Sequence, residues 1–133
     1  MITGGKITSV EAVRDKDDPI TGLSINISLD GVKVNGGDIE IKYTYTVTYA
    51  DGVGKLTIEG ILFAKEDKAL ASSINKSWKD SKKLPNDFAE IVLNTINFTC
   101  GTNGTLVVRP INLSPPMIPP KIEIAKSGAS SAG

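Results

Sequence analysis

The chain has 133 residues with fifteen acidic and fifteen basic side chains, so its formal net charge is zero. A neutral chain lacks the overall positive field that draws basic domains to nucleic acid, although zero net charge does not exclude a local basic patch. One cysteine excludes an internal disulfide, and the absence of histidine removes the usual ligands of zinc and copper. We therefore expect no metal site, no cofactor and no nucleic-acid partner.

The chain shows no apolar run of the ~20 residues that cross a bilayer, and its N-terminus has no apolar signal region. We expect a soluble, cytoplasmic protein without membrane insertion. Its length predicts a single domain, which we assign to residues 1–122. The small and polar residues 123–133 predict a flexible C-terminal tail.

The first half of the chain predicts four β-strands, near residues 3–13, 21–34, 38–50 and 54–65. The third is clearest, because large side chains occupy every second position from Ile39 to Tyr49 while charged residues and threonines fill the others. Asn35-Gly36-Gly37 and Asp51-Gly52-Val53-Gly54 predict tight turns. Short connections predict an antiparallel meander.

The period then changes to that of helices. Leu70, Ala71, Ile74 and Trp78 predict one over about 67–79. Leu84-Pro85-Asn86-Asp87 predicts the start of a second helix. Its body, 88–100, places one apolar set near one face: Phe88, Ile91, Val92, Ile96 and Cys100.

Glycine and proline residues determine which structures are predicted for the last part of the chain. Gly101-Thr-Asn-Gly104 predicts the end of the second helix, and 105–108 a short β-like run. The prolines that follow forbid a regular helix or a central strand. Because apolar residues lie among them, we expect this segment to be pinned across the fold.

No catalytic constellation is present. The chain has no histidine base and no phosphate-binding loop, and its glycine pairs are typical of turns. Asp15, Asp17 and Asp18 lack the spacing of a calcium loop, which favours a solvated loop. We expect a protein that is not an enzyme.

The order of these parts resembles the SecB family of export chaperones. Three stretches carry the resemblance: Asp38–Gly60, Leu84-Pro85-Asn86 leading into Phe88–Phe98, and Val107–Ser114 with its Pro110-Ile-Asn-Leu113 core. The resemblance implies a SecB-like α+β fold, with the four-stranded antiparallel meander followed by two helices and a proline-rich C-terminal segment.

The resemblance also implies function: an ATP-independent holdase for protein transport, assembled as a dimer or homotetramer, that holds unfolded polypeptides in hydrophobic grooves. The client would be a preprotein or a dedicated one such as an antitoxin. We place the groove between the helices and Val107–Ile118, with Tyr45, Trp78, Leu84, Phe88, Ile111, Leu113, Met117 and Ile118 as client-binding candidates. Each is also a candidate for the domain's own core. The helix carrying Leu70, Ile74 and Trp78 is the predicted oligomer interface.

Two features depart from that family. SecB proteins are generally acidic and present carboxylates to the translocation motor, whereas this chain is neutral and mixes Lys42 and Lys55 with Glu40 and Glu59 on its strands. Docking to that motor is therefore not expected. The alternative function is a non-catalytic structural or adaptor subunit that binds one specific folded partner.

Overall fold

A computed structural model describes residues 1–116 of the protein. It contains four strands, β1 (Ile2–Arg14), β2 (Leu23–Asn35), β3 (Asp38–Tyr49) and β4 (Gly54–Lys65), and two helices, α1 (Lys68–Ser81) and α2 (Asn86–Val108). Single 3-10 turns lie at Ala50–Gly52 and Arg109–Ile111. The predicted four-stranded antiparallel sheet followed by two helices is confirmed. The predicted tail, 123–133, lies outside the described residues.

The strand order in the sheet is β1-β4-β3-β2, with every neighbouring pair antiparallel. Consecutive hairpins join β2, β3 and β4 as expected, but the meander order is wrong for β1, which pairs with β4. Residues 15–22 connect β1 to β2 at the opposite edge of the sheet, and this connection is long enough to allow the observed order. It has to cross three inter-strand spacings, roughly 14 Å in all. Eight residues at ~3.3 Å each reach farther than that.

The sheet has one apolar and one polar face, as the period of two predicts. On β3, all six large side chains of the apolar set are buried: Ile39, Ile41, Tyr43, Tyr45, Val47 and Tyr49. Their antiparallel partners on β4 lie on the same face, where Leu56, Ile58 and Leu62 are also buried. Both helices cover this face, which we call the core face. The opposite, solvent-facing side is called the outer face.

Helix α1 begins and ends with recognisable caps. The Asp67 carboxylate accepts a hydrogen bond from the backbone N–H of Leu70 at 2.8 Å, satisfying one of the free donors of the first turn. Lys82 ends the helix at φ 56°, and its Nζ lies 5.7 Å from the ring centroid of Trp78. The predicted apolar stripe is confirmed for Ala71, Ile74 and Trp78, which are buried.

Helix α2 is longer than the sequence predicted. The predicted start is confirmed, because the helix begins at Asn86 with Asp87 in its first turn. The predicted end at Gly101–Gly104 and the β-like run 105–108 are wrong, since helix continues to Val108. Gly104 is a packing position: a Cβ there would lie 2.8 Å from Cδ2 of Leu56 on the sheet. Its missing side chain lets the helix approach the sheet, and that contact outweighs the low helix propensity of glycine.

The segment after α2 is pinned across the end of the sheet, as predicted, in the part that the structure describes. Leu113 is buried, with its Cδ2 3.0 Å from where a Cβ of Gly54 would lie. The Tyr49 hydroxyl donates to the backbone oxygen of Ser114, and Arg14 Nη1 donates to that of Asn112 at 2.7 Å. Two strand side chains thus hold the backbone on either side of Leu113.

Gly60 provides a test of how tightly the sheet is packed. A Cβ at this position would lie 2.6 Å from Cζ of Tyr43 and 2.8 Å from the backbone oxygen of Lys6. We therefore expect Gly60→Ala to lower the free energy of unfolding by about 1–3 kcal/mol, the usual cost of overpacking. Gly4→Ala is the matched control, because a Cβ there meets no atom within 4 Å. Urea unfolding of both variants measures the difference, and equal stabilities would contradict the packing.

Candidate functional site

An open groove lies on the core face between β1 and α2. It has a volume of about 410 Å³. Leu62 and the ring of Tyr43 belong to its lining, together with Thr95 and Thr99 of α2. The remaining lining comes from the first half of β1: Ile2, Gly4, Gly5, Lys6 and Ile7. We call this feature the β1–α2 groove.

The groove combines a lining of apolar, glycine and polar residues with a strand edge. β1 pairs with β4 on one side and has no strand partner on the other within residues 1–116. The outer N–H and C=O groups of such a strand can pair with an extended chain. Gly4 and Gly5 leave this part of the edge without side chains. The groove therefore suits an extended polypeptide that pairs with this edge and places apolar side chains against Ile2 and Ile7, which are only partly buried, whereas Leu62 and Tyr43 are buried.

Helix α2 adds an exposed apolar stripe next to the groove. Ile91 is 51% exposed, Phe98 70% and Leu106 64%. Ile91 lies four residues before the groove-lining Thr95, and Phe98 lies three residues after it. Ile91 and Phe98 therefore share one face of the helix with Thr95. Residues 91, 98 and 106 form the α2 stripe. These side chains lie about two helical turns apart, so they form a row of apolar contact points along one side of the helix rather than one continuous patch.

Most of the predicted client-binding residues lie in the core. Ile111 is partly buried, and Met117 and Ile118 lie outside the described residues. The other five are buried, which is the second role considered for each of them: Tyr45, Trp78, Leu84, Phe88 and Leu113. In this conformation they present no surface to a client, and their part in client binding stays a prediction.

The predicted oligomer interface on α1 also contains both exposed and buried residues. Leu70 is 37% exposed, whereas Ile74 and Trp78 lie on the buried side of the helix. Of the three, only Leu70 is therefore available at the surface of the protomer. The interface itself stays a prediction.

The residues that line the groove and its rim are not among those predicted from the sequence. The helical spacing groups Ile91 with the apolar face of α2, but Ile91 is half exposed while Val92 beside it is buried. The buried positions 88, 92, 96, 100, 104 and 108 recur every four residues. That spacing separates the buried row from Ile91 and Phe98, and it was the signal in the sequence that could have found the stripe.

No group of three metal-binding side chains comes together within residues 1–116. Cys100 is buried and donates a long hydrogen bond, 3.8 Å, to the Tyr43 hydroxyl. Burial raises the pKa of this thiol to about 11, although the contact with Tyr43 lowers it slightly. Such a thiol is protonated at neutral pH and is a poor nucleophile. Neither helix of the described part is long and apolar enough to span a membrane.

Comparison with known proteins supports the fold. A solved structure of the Rv1957 SecB-like chaperone of Mycobacterium tuberculosis, in complex with a ChAD peptide from the Rv1956 HigA1 antitoxin, superposes with a TM-score of 0.52. The superposition covers 90% of this chain and 88% of that one, at 11% sequence identity. Identity this low shows the fold alone. The protein therefore has a SecB-like fold, which agrees with the resemblance in its sequence.

Sequence comparison adds little to this. No family model matches the chain. The U3 small nucleolar RNA-associated protein 10 of Candida albicans is 30% identical over 103 residues, which cover 76% of this chain. The chain spans 6% of the length of that relative, so the match carries no function of the larger protein to this one.

Two core tyrosines allow a matched test of buried hydroxyl groups. The Tyr45 hydroxyl has no hydrogen-bond partner among the described residues, whereas the Tyr49 hydroxyl donates to Ser114. We expect Tyr45→Phe to leave the melting temperature unchanged or to raise it, because it removes an unpaired buried polar group. Tyr49→Phe should cost about 1 kcal/mol, the typical value of one hydrogen bond. Thermal unfolding measures the stability of both variants. A larger loss of stability for Tyr45→Phe than for Tyr49→Phe would contradict the assignment of Tyr45 as the unpaired hydroxyl.

The same residues predict how stability depends on pH. Burial raises the pKa of Tyr43, Tyr45 and Tyr49 above the ordinary value of 10.0, and Cys100 rises from 9.0 to about 11. Their neutral forms are favoured by folding, so this stability is fully present below pH 9.0 and is lost as the pH rises towards the folded values. We expect the melting temperature to fall above that pH. Cys100→Ala should remove the decrease in melting temperature that begins at the lowest pH. An unchanged dependence of melting temperature on pH in this variant would contradict the role of Cys100.

Proposed function

We propose that this protein is an ATP-independent holdase that binds non-native polypeptide in the β1–α2 groove. The observation that carries the proposal is the juxtaposition of an open apolar groove, a free strand edge and the exposed α2 stripe. Burial of apolar side chains yields roughly 25 cal/mol per Å² and needs no particular sequence. A surface of this kind can therefore hold many unfolded chains without nucleotide hydrolysis.

The fold comparison supports this proposal. The superposed SecB-like chaperone was solved with a peptide from an antitoxin bound to it. Peptide binding by that protein makes a dedicated client of similar kind our first choice here, before a preprotein. The absence of a catalytic constellation within residues 1–116 fits a binding protein rather than an enzyme. A cytoplasmic location and a role in transport stay predictions.

The exposed stripe provides the direct test. Ile91→Ser with Phe98→Ser should weaken client binding by about 1–3 kcal/mol, below the ceiling of ~1.5–3 kcal/mol for each fully buried side chain. The melting temperature should change little, because both side chains are largely exposed. Phe88→Ser is the control on the same helix, since this buried residue should lower stability first. The measurements are suppression of insulin aggregation on reduction and affinity for several unrelated unfolded proteins.

Unchanged client affinity in the folded double variant would exclude the α2 stripe as the client surface. If the wild type ignores unrelated unfolded proteins and retains one folded protein, the adaptor function applies instead. The two functions therefore give opposite results with the same panel of proteins.

We further propose that the protein assembles through the free edge of β1. Val10 lies on the core face opposite Ile58 but is 41% exposed, because the helices leave this edge uncovered. Pairing with β1 of a second copy would satisfy the strand edge and cover Val10. The groove lies along the first half of β1, so pairing between the second halves of two β1 strands would leave the edge at Gly4 and Gly5 to a client.

A proline at the edge tests the assembly. Ser9→Pro removes a backbone donor from β1, and Val10→Asp places a charge where the second copy would pack. We expect both variants to shift the protein towards the monomer in light scattering at micromolar concentration. Leu70→Asp is the matched control, because it changes the exposed residue of the interface first predicted on α1. Dissociation by Leu70→Asp alone would place the interface on α1 instead.

A further inference from the structure

The outer face of the sheet breaks its polar pattern at one end of β4. The outward positions Lys55, Thr57 and Glu59 are polar, but the next two, Ile61 and Phe63, are apolar and partly buried. β4 is an interior strand, with β1 on one side and β3 on the other. The two apolar side chains therefore lie in the middle of a face that no helix of the described residues covers.

Lysines surround this apolar pair. The strand register places Ile61 between Lys6 on β1 and Lys42 on β3. Lys33 on β2 lies opposite Glu40, the β3 neighbour of Phe63. None of the three lysines forms an ion pair within residues 1–116, where the salt bridges join Met1 to Glu66 and Lys65 to Asp38. Directly opposed residues on one face have Cβ atoms about 5 Å apart, so Lys6 and Lys42 border the apolar pair, while Lys33 lies one strand farther away, beyond Glu40.

The other neighbour of Phe63 is a glycine. Gly4 lies opposite Phe63 on β1, and a Cβ at Gly4 would meet no atom within 4 Å. One side of Phe63 is thus open, with bare backbone beside it. We call Gly4, Ile61 and Phe63, with the adjacent Lys6, Lys42 and Glu40 and with Lys33 beyond Glu40, the outer patch.

We propose that the outer patch binds an acidic polypeptide segment that carries one aromatic or aliphatic anchor. The anchor packs against Phe63 above Gly4, and its flanking carboxylates pair with the lysines. An apolar contact ringed by complementary charge is the usual anatomy of a specific interface. A nucleic acid fits less well, because it carries a phosphate at every nucleotide and cannot keep all of them away from Glu40, whereas a peptide can place its carboxylates beside the lysines alone. This site lies on the outer face of the sheet, where only Gly4 and Lys6 at the β1 edge are shared with the lining of the β1–α2 groove, and it goes beyond the holdase function.

Short labelled peptides test the chemistry on the complete protein. One peptide contains several glutamates and a single phenylalanine, a second replaces that phenylalanine by serine, and a third replaces the glutamates by lysines. A single-stranded oligonucleotide of the same charge is the fourth probe. We expect saturable binding by the first peptide alone, weakened by salt. Equal binding of the serine peptide or of the oligonucleotide, or no saturable binding of the first peptide, overturns the proposal.

Three variants locate the site. Lys42→Glu should weaken the first peptide about tenfold, because an attraction becomes a repulsion. Lys55→Glu is the matched control on the same face near the other end of β4, and should change affinity by less than about twofold. Gly4→Leu should block the anchor by filling the open side of Phe63 without lowering the melting temperature, since space is available there. An equal loss with Lys55→Glu, or unaltered binding by Gly4→Leu, contradicts the assignment.

Discussion

The structure depends on how closely α2 can approach the sheet. The core face of β3 presents three tyrosines and three aliphatic residues in one row, and this surface has to be covered. Helix α2 touches all four strands and supplies much of the cover. It comes close enough because Gly104 has no side chain where it meets Leu56, and Gly60 makes room for the Tyr43 ring within the sheet. Glycine therefore acts here through missing volume.

The approach of α2 also determines what stays uncovered. The helix turns a row of residues at four-residue intervals to the sheet, with Ala89, Asn97 and Gly101 also buried beside this row, so the side of the helix that carries Ile91, Phe98 and Leu106 faces solvent. Phe98 and Leu106 are exposed for this reason, and the space between α2 and the first half of β1 remains open. The same constraint thus produces both the packed core and the apolar surface from which the holdase function is proposed.

The sequence predicted the strands and the fold class because an alternation of apolar and polar residues is a local signal. Ile39–Tyr49 needs no other part of the chain to show which face is buried. The position of β1 beside β4 could not be predicted in this way, since the sequence of residues 15–22 does not indicate how many strands this connection crosses. Gly104 was misread as part of a helix end because its role depends on Leu56, a sheet residue distant in sequence. The groove was missed for the same reason: it requires knowing which residues of α2 face β1.

The pairing of β1 with β4 also has a kinetic consequence. β2, β3 and β4 are joined by short turns and can pair as soon as neighbouring residues meet, whereas Ile2 has to find Ala64 across the rest of the sheet. Closing so long a loop costs more entropy than closing a hairpin, so contacts of this kind form late in folding. β1 should therefore be the last strand to dock and, under native conditions, the first to exchange its amide hydrogens. The wall of the β1–α2 groove would then be the least persistent part of the sheet, opening without loss of the three-stranded centre.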